Sequence, residues 1–472
     1  MNKKFYITTP IYYVNDVSHV GHAYTTIAAD VLARYHRSLK EDVFFLTGTD
    51  EHGAKVAEAA KKAGKEPKEF CDEVSLRFKK TWERLNISND YFFRTTDECH
   101  GKIVQEILQK VYDRGLIKKG IYEGLYCIGC EKFLTENDLV DGCCPLHPNQ
   151  KPTQQKEENY FFKLSEFKEK LKKAIKDKND ANHYEILPKP RENEILGKLE
   201  LGLNDVSISR EGVEWGIPLP WDKKQTFYVW IDALLNYYTA TRFLENKEKF
   251  WPADLHLVGK DILWFHSVIW PALLLAAELP LPKKIFAHGF FTIDGKKMSK
   301  SLGNVISPDD LIKKFGVDGA RYLMLSEFSF GSDGDISLKK FQTRYNADLA
   351  NGLGNLVARV AKLCENSKSS FKTKTDFNLD KFIIGLLNGF RFDDALERIW
   401  GYIRENNKRI NDNKIWEQNG EKLEKSLQEC IYALQDIAYH LQPFLPETAE
   451  KIQKQFQGPK IKAEKPLFPR LH

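Results

Sequence analysis

Apolar positions at the start of the chain change from a strand-like run to a helical spacing and back. Residues 5–8 form a short run of apolar and β-prone residues, and residues 43–47 form a second one. Between the two runs, apolar residues recur on one helical face at Ile27, Val31, Leu32 and Tyr35. A strand, a helix and a strand within about 45 residues predict a βαβ unit, and therefore a parallel sheet with a right-handed crossover. Ligands of such sheets bind at the carboxyl ends of the strands.

The alternation of strands and helices is interrupted in the middle of the chain. Over residues 112–225, short runs, a cysteine cluster and a charged segment replace it, which indicates an inserted domain. Strand-like runs return at residues 226–231, 256–258 and 284–287, with helical patterns between them. We therefore expect these runs to form the second half of the same sheet.

From residue 346 onwards the pattern is helical throughout. Apolar residues are spaced 4, 3, 4 and 3 apart, at Leu349, Leu353, Leu356, Val360 and Leu363. The predicted fold is α/β: a split Rossmann-like parallel-sheet domain, a connective insert and an all-α C-terminal bundle. The expected domain bounds are 1–111 for the first half, 112–225 for the insert, 226–325 for the second half, 326–345 for a junction and 346–472 for the helical domain.

Composition fits a cytoplasmic globular protein with several domains. The chain has 472 residues, of which 42% are hydrophobic and 29% charged, and its formal net charge is +5. Residues 262–277, the longest apolar stretch, are too few for a membrane span, and the N-terminal region has no secretory apolar run. We expect the eight cysteines to be free thiols and metal ligands rather than disulfides.

Three of the cysteines and one histidine have the spacing of a zinc site. Cys127 and Cys130 form one knuckle, and after thirteen intervening residues Cys144 and His147 form a second one. Cys143 is an alternative to Cys144 in register. Four protein ligands leave no open position, so the pattern predicts one structural Zn²⁺ in the insert.

Two further motifs carry phosphate chemistry. His19, Gly21 and His22 lie where the first strand leads into the first helix, a position that favours anions. Much later, Lys297 and Lys300 follow an Asp294-Gly295 turn, three residues apart in a segment that reads KMSKS. A pair of lysines can stabilise the charge that develops on a leaving pyrophosphate.

Together, HVGH and KMSKS on two halves of an interrupted nucleotide fold resemble the signatures of class I aminoacyl-tRNA synthetases. The resemblance implies that a carboxylate attacks the α-phosphate of ATP, with Mg²⁺ bound to the ATP, and that the acyl group is then transferred to the terminal adenosine of a tRNA. It implies catalytic roles for His19, His22, Lys297 and Lys300. It also implies that these residues, Gly21 and Asp261 bind ATP.

Three longer segments narrow the resemblance to the methionyl-tRNA synthetase family. They are TTPIYYVN at residues 8–15, TDEHG at 49–53 and YVWIDALLNY at 228–237. The resemblance implies that Asp50 holds the ammonium group of methionine. It also implies a side-chain pocket, whose aromatic walls would suit a thioether, lined by Ile11, Tyr13, Trp230, Ala233, Tyr237, Ile262 and His266.

In the helical domain, the same family resemblance implies that Asn355, Arg359 and Trp416 read the anticodon. Asn355 and Arg359 are four residues apart on one helix face, and Trp416 follows a polar stretch where an indole could stack on an unpaired base. Family members usually have proline before this tryptophan, whereas this chain has Ile415.

The sequence is thus interpreted as a methionine–tRNA ligase whose partners are methionine, ATP and tRNA(Met), including the initiator, with no membrane partner. The insert is too short for the large editing domain of the isoleucine, valine and leucine enzymes. A cysteinyl-tRNA synthetase, with a catalytic zinc, is the nearest alternative enzyme. A synthetase-like RNA-binding protein without activity is the alternative from another class, and the intact signature residues argue against it.

Overall fold

A computed structural model describes residues 3–15, 18–127, 132–134, 139–145, 148, 151–297 and 305–472. Its strands are β1 (Lys4–Tyr13), β2 (Asp42–Asp50), β3 (Tyr91–Arg94), β4 (Ile117–Cys127), β5 (Lys132–Leu134), β6 (Thr153–Phe162), β7 (Glu185–Leu187), β8 (Val206–Ser207), β9 (Ser209–Glu211), β10 (Gln225–Phe227), β11 (Leu255–Gly259), β12 (Lys284–His288), β13 (Phe291–Ile293), β14 (Lys296–Lys297) and β15 (Gly334–Ile336).

The α-helices are α1 (Val20–Ser38), α2 (Ala54–Lys62), α3 (Pro67–Arg84), α4 (Glu98–Asp113), α5 (Lys168–Lys176), α6 (Lys189–Leu201), α7 (Val229–Leu234), α8 (Asn236–Phe243), α9 (Trp270–Ala276), α10 (Pro308–Ser326), α11 (Leu338–Arg344), α12 (Asn355–Ser367), α13 (Lys381–Asn388), α14 (Phe392–Asp412), α15 (Gly420–Leu441) and α16 (Pro446–Gln455). Shorter 3-10 or π-helical segments include Lys260–Ile262, Phe265–Ile269, Tyr345–Gly354 and Ile415–Glu417.

The chain divides into two compact units. The first unit consists of Met1–Val17, Asp42–Lys79 and Asn89–Ala287, and the second of Ser18–Glu41, Lys80–Ser88 and His288–His472. The chain therefore passes from one unit to the other several times.

A six-stranded sheet organises the first unit, in the order β3-β2-β1-β11-β12-β7. β1 pairs in parallel with both β2 and β11, which confirms the predicted parallel pairing of the first two strands. Strands at the centre of such a sheet are buried on both faces, and β2 is buried from Val43 to Asp50. The carboxyl ends of β1, β2 and β11 therefore lie side by side at one edge of the sheet, where ligands of this architecture bind.

Two expectations about the strands were wrong. The run at residues 226–231 does not join the six-stranded sheet, because only Gln225–Phe227 is a strand and it pairs antiparallel with β9. Helix α7 begins at Val229, and a short apolar run does not distinguish a strand from a buried helix start. Conversely, β7 lies within the predicted insert yet pairs in parallel with β12 at the edge of the main sheet.

The remainder of the insert has a sheet of its own. β4, β5, β6 and β8 form a four-stranded antiparallel sheet, in which β4 and β6 pair over ten residues from Ile117↔Phe162 to Tyr126↔Thr153. This antiparallel pairing explains why the alternation of strands and helices in the sequence is interrupted over the insert.

The second unit holds α1 against later helices through a buried ion pair. Arg321 on α10 and Asp30 on α1 are both fully buried, and Nη2 donates to Oδ2 over 2.7 Å. Arg321 also donates to the carbonyl oxygens of Leu85, Pro443 and Phe444. One guanidinium therefore ties together four segments of this unit that are distant in sequence.

The C-terminal part of the second unit is helical, as the leucine spacing predicts. Tyr345–Gly354 and α12 carry the apolar stripe inward, with Leu349, Leu353, Leu356 and Val360 buried. Within the described part of the chain, no helix is both long enough and apolar enough to span a membrane.

Candidate active site and RNA-binding surface

Four of the residues expected to bind methionine, and Asp261, which is expected to bind ATP, lie where the central strands of the first unit end. Ile11 and Tyr13 are among the last three residues of β1. Asp50 is the last residue of β2, and this residue is only 8% exposed. Asp261 and Ile262 follow β11 directly in the segment Lys260–Ile262, with Asp261 exposed. The sheet order thus brings these five residues to one edge.

The residue after Asp50 is held rigidly by its neighbours. Glu51 is fully buried, and its two carboxylate oxygens accept from Arg94 Nε at 2.7 Å and Nη2 at 2.8 Å. The hydroxyl groups of Thr49 and Thr96 donate to the same carboxylate. A bidentate guanidinium contact fixes geometry as well as charge, so the backbone beside Asp50 is preorganised.

Tyr237 and His266 form a buried hydrogen-bonded pair in the same unit. His266 Nδ1 lies 3.0 Å from the carbonyl oxygen of Ile262, which can only accept, so this nitrogen carries the proton. Nε2 is then the acceptor, and the Tyr237 hydroxyl donates to it over 2.8 Å. Burial lowers the pKa of His266 to about 4, so the ring is neutral at pH 7.

The aromatic wall is stacked rather than loosely packed. Trp230 on α7 lies against Phe265 with ring centroids 4.1 Å apart and planes 12° apart. Trp230 is half-buried, whereas Ala233, one turn later on α7, is buried. A stacked indole offers a stiff apolar face to a flexible side chain.

Asp232 is a structural part of this wall that the sequence interpretation missed. Its Oδ2 accepts from His52 Nδ1 at 2.7 Å and its Oδ1 from His100 Nε2 at 2.8 Å. Burial by itself raises the pKa of Asp232, but the two histidines outweigh this effect and lower it to about 2. The carboxylate thereby fastens α7 to the segment after β2 and to α4. The sequence signal that could have indicated Asp232 is an acidic residue inside the mostly apolar segment 228–237.

The first signature motif forms the start of α1 in the second unit. His19 is the N-cap, and its Nδ1 accepts from the backbone N–H of Gly21 at 3.1 Å. His22 Nδ1 in turn accepts from the backbone N–H of His19 at 3.4 Å. Since Nδ1 accepts in both rings, each neutral imidazole carries its proton on Nε2.

Burial keeps both signature imidazoles neutral. It lowers the pKa of His19 to about 4, and burial together with the adjacent His19 lowers the pKa of His22 well below its usual value. The rings stack with centroids 3.7 Å apart. Gly21 is required here, because a Cβ at this position would lie 2.9 Å from Cε1 of His19. The result is a pair of Nε2–H donors at a helix N-terminus.

The second signature motif follows a tight hairpin in the second unit. β13 and β14 pair antiparallel around Asp294 and Gly295, whose φ angles are 50° and 73°. Positive φ at both turn residues is the two-residue hairpin geometry that the Asp-Gly pair predicts. β14 ends at Lys297; the side chain of Lys297 and residues 298–304, including Lys300, lie outside the described part.

Two of the four expected zinc ligands are described. Cys127 and Cys144 are each 2% exposed and pack in one small cluster with Leu134. Cys143, the alternative in register, is less buried and forms a backbone bridge with Val140. Cys130 and His147 lie outside the described residues.

The residues expected to read the anticodon come together in the second unit. Arg359 on α12 lies over the Trp416 ring, with Cζ 5.0 Å from the ring centroid. Trp416 is 48% exposed, and Asn355 at the start of α12 is exposed too. Asn411, which the sequence interpretation missed, accepts from Arg359 Nη1 at 2.7 Å.

The loop before Trp416 is anchored by the residue that replaces proline. Ile415 is 1% exposed and begins the segment Ile415–Glu417, after Lys414 in a left-handed conformation with φ 45°. Burying Ile415 leaves the next side chain, the Trp416 indole, on the surface.

The chain is similar in sequence to known synthetases. The sequence profile of the family described as "tRNA synthetases class I (M)" matches residues 5–151 and 146–361. The chain is 44% identical to the methionine–tRNA ligase of Thermotoga maritima, over 95% of this chain and 74% of that protein. It is 46% identical to that of Clostridium acetobutylicum, over 96% and 73% respectively.

A solved structure extends the likeness to the fold. The methionyl-tRNA synthetase of Mycobacterium tuberculosis in complex with methionyl-adenylate superimposes with a TM-score of 0.92 at 36% identity, over 99% of this chain and 100% of that one. The fold and the signature motifs therefore define a class I aminoacyl-tRNA synthetase. Within that class, the chain belongs to the methionine–tRNA ligase family.

Proposed function

We propose that this member of the family activates L-methionine with ATP, releasing pyrophosphate, and transfers the methionyl group from the adenylate to the 3′-terminal adenosine of tRNA(Met). The initiator tRNA is among its substrates, and the cytoplasm is where it acts. The observation that carries this proposal is the buried Asp50 carboxylate at the end of β2, beside the end of β1 and with stacked Trp230 in the same unit.

In this proposal Asp50 binds the α-ammonium group, and the side chain of methionine enters the pocket expected from the sequence, lined by Ile11, Tyr13, Trp230, Ala233, Tyr237, Ile262 and His266. The Tyr237 proton is already used by neutral His266, so neither group presents a charge to the ligand. Such a pocket selects by shape and polarisability, which suits a thioether.

ATP binds through the second unit. The Nε2–H groups of His19 and His22 donate to phosphate oxygens at the N-terminus of α1, and Gly21 keeps the backbone accessible. Lys297 and Lys300 stabilise the charge on the departing pyrophosphate, and Mg²⁺ accompanies the nucleotide. Asp261, which follows β11, is the remaining residue proposed to bind ATP.

Methionine-dependent exchange of pyrophosphate into ATP tests the activation step. The purified chain is assayed with each of the twenty amino acids, and methionine is expected to give the highest kcat/KM. A preference for cysteine, lost on chelation of zinc, would indicate a cysteinyl-tRNA synthetase. Exchange with none of them would favour an RNA-binding protein without activity.

The insert is proposed to hold one structural zinc ion through Cys127, Cys130, Cys144 and His147. Burial of Cys127 and Cys144 in one cluster supports a site formed from both knuckles, because it brings one sulfur ligand of each knuckle together. Bound zinc would supply folding energy to the insert rather than chemistry at the substrate.

We expect elemental analysis of protein purified without chelator to find one zinc per chain. Cys144→Ser should lower the zinc content and destabilise the insert, whereas Cys143→Ser should leave both unchanged because Cys143 is the residue that stays partly exposed. Loss of zinc in Cys143→Ser but not in Cys144→Ser would assign the ligand to position 143.

The Arg359–Trp416 stack is proposed as the platform for the anticodon. One face of the indole is covered by the guanidinium, and the ring is still half-exposed, so an unpaired base can stack beside a preformed cation–π pair. Asn411 holds the guanidinium, and Asn355 one turn earlier on α12 presents an amide to a base edge.

Trp416→Ala is expected to weaken tRNA binding by about 1–3 kcal/mol, the usual value of one base–aromatic contact. Methionine-dependent pyrophosphate exchange should remain normal. Phe382→Ala is the matched control, because Phe382 is 72% exposed in the same unit and also lies under a guanidinium, that of Arg398 at 5.4 Å. Equal losses in both variants, measured by filter binding at fixed salt, would contradict a specific role for Trp416.

A further inference from the structure

Asp335 lies beside the hairpin that leads to the second signature motif. Its strand, β15, pairs in parallel with β13, so that Thr292 is opposite Asp335 and Ile293 is opposite Ile336. β13 and β14 are the two arms of the hairpin, and β14 ends at Lys297. The hairpin is therefore supported on one side by a strand that comes about forty residues later in the chain.

The carboxylate of Asp335 has partners in three different elements. Oδ1 accepts from the Thr292 hydroxyl at 2.8 Å and from the backbone N–H of Gly295, in the turn, at 2.6 Å. Oδ2 accepts from Lys340 Nζ on α11 at 2.9 Å. These bonds, the Gly295 N–H foremost, lower the pKa of Asp335 to about 2, so the group is a full carboxylate at neutral pH.

The hydrogen bonds from the hairpin to Asp335 can position the hairpin, whereas the ion pair with α11 cannot. Lys340 is exposed and its ion pair with Asp335 is screened by water, so we expect this pair to contribute little to stability. The hydrogen bonds to Thr292 and Gly295 instead fix the position of the hairpin turn relative to β15. The Gly295 N–H belongs to the backbone, so this donor cannot adopt another rotamer as a side chain could. Their effect is on the direction of the hairpin rather than on the hydrophobic core.

We propose that Asp335 is a positioning residue for adenylate formation, which sets the hairpin that delivers Lys297 through its bonds to Thr292 Oγ1 and the Gly295 N–H. This inference rests on the proposed function. A displacement of about 1 Å in a group that stabilises the transition state costs up to about 10²-fold in rate. The same strand continues into α11 and then toward α12, so the hairpin is also tied to the segment that begins the helical region.

The test uses pyrophosphate exchange with the full chain and four variants. Asp335→Ala removes all three bonds and is expected to lower kcat about 10- to 100-fold, with KM for methionine within twofold of wild type. Asp335→Asn keeps an oxygen that can accept from Thr292 and Gly295, and should recover most of the rate. Thr292→Val should lose an intermediate amount. Lys340→Met, which removes only the ion pair, should stay within twofold of wild type.

Thermal unfolding of the same variants separates positioning from stability. We expect the midpoint for Asp335→Ala to lie close to that of wild type, because Asp335 is not part of the core. The inference is overturned if Asp335→Ala keeps its kcat, if Asp335→Asn loses as much rate as Asp335→Ala, or if activity falls only in proportion to a lowered midpoint. If wild type itself shows no methionine-dependent exchange, the proposed function fails first, and the two failures are thereby distinguished.

Discussion

His22→Ala is expected to slow methionyl-adenylate formation by about 10²–10³-fold, the usual loss when one preorganised transition-state donor is removed. The backbone N–H of His19 donates to Nδ1 of His22, so the proton of the ring is on Nε2, the atom proposed to donate to a phosphate oxygen. Alanine leaves the helix but removes the donor. Single-turnover measurement of adenylate formation at saturating methionine and ATP checks the value.

His36→Ala is the matched control for this substitution. His36 lies in the last turn of the same helix, where its Nδ1 is 2.7 Å from Glu41 Oε2, far along α1 from the signature residues. Its adenylate rate should remain within twofold of wild type. A similar rate in His22→Ala would contradict the role proposed for the signature motif.

The lowered pKa values of the signature imidazoles predict how adenylate formation responds to pH. Because burial lowers the pKa of His19 to about 4 and that of His22 further below its usual value, both rings are already neutral at pH 6. Wild-type adenylate formation should therefore not fall between pH 6 and pH 8 through loss of an imidazolium. These two histidines contribute stability that is fully present above about pH 6.5 and decreases as the pH falls toward their depressed values.

The fold could be predicted where the hydrophobic period is long and failed where elements are short. α1 and the helices after residue 346 were predicted because their apolar spacing repeats over several turns, and β1 and β2 were predicted from short apolar runs on either side of α1. β7 and β10 have three residues each, and a run of that length has no measurable period. Their places in the structure are decided by partners far along the chain, Lys284 to Phe286 for β7 and Ser209 to Glu211 for β10.

The candidate site divides in a similar way. His19 and His22 were predicted from a short motif at the start of a helix, and Asp50 was predicted from the family resemblance of the segment at residues 49–53. Asp232 meets His52 across 180 residues, and Arg359 meets Asn411 across 52, so no local pattern announces either contact. The residues proposed to contact substrate lie in local sequence motifs, whereas Asp232 and Asn411 are brought to their partners only by the tertiary structure.

The second large effect is expected from the buried ion pair of the second unit. Asp30 Oδ2 accepts from Arg321 and, at 2.8 Å, from Arg34 Nε, while Oδ1 accepts from the backbone and hydroxyl of Ser88. Burial opposes ionisation of Asp30, but the two guanidinium groups and Ser88 outweigh it and lower its pKa. The charge is thus fully compensated as long as Arg321 is present.

Arg321→Met should lower the free energy of unfolding of the second unit by about 3–5 kcal/mol, because it leaves a buried carboxylate partly unpaired and three carbonyl oxygens, those of Leu85, Pro443 and Phe444, without their donor. Arg34→Met is the control: Arg34 contacts the same oxygen but is partly exposed, so its loss should cost less. Urea unfolding followed by circular dichroism measures both.

Since the pKa of Asp30 is depressed, the difference in unfolding free energy between wild type and Arg321→Met should be complete above about pH 4 and disappear as the pH falls through the lowered value. An Arg321→Met midpoint equal to that of wild type at pH 7 would show that the three carbonyl contacts and the buried pair contribute little, and that α1 is held in this unit by apolar packing instead.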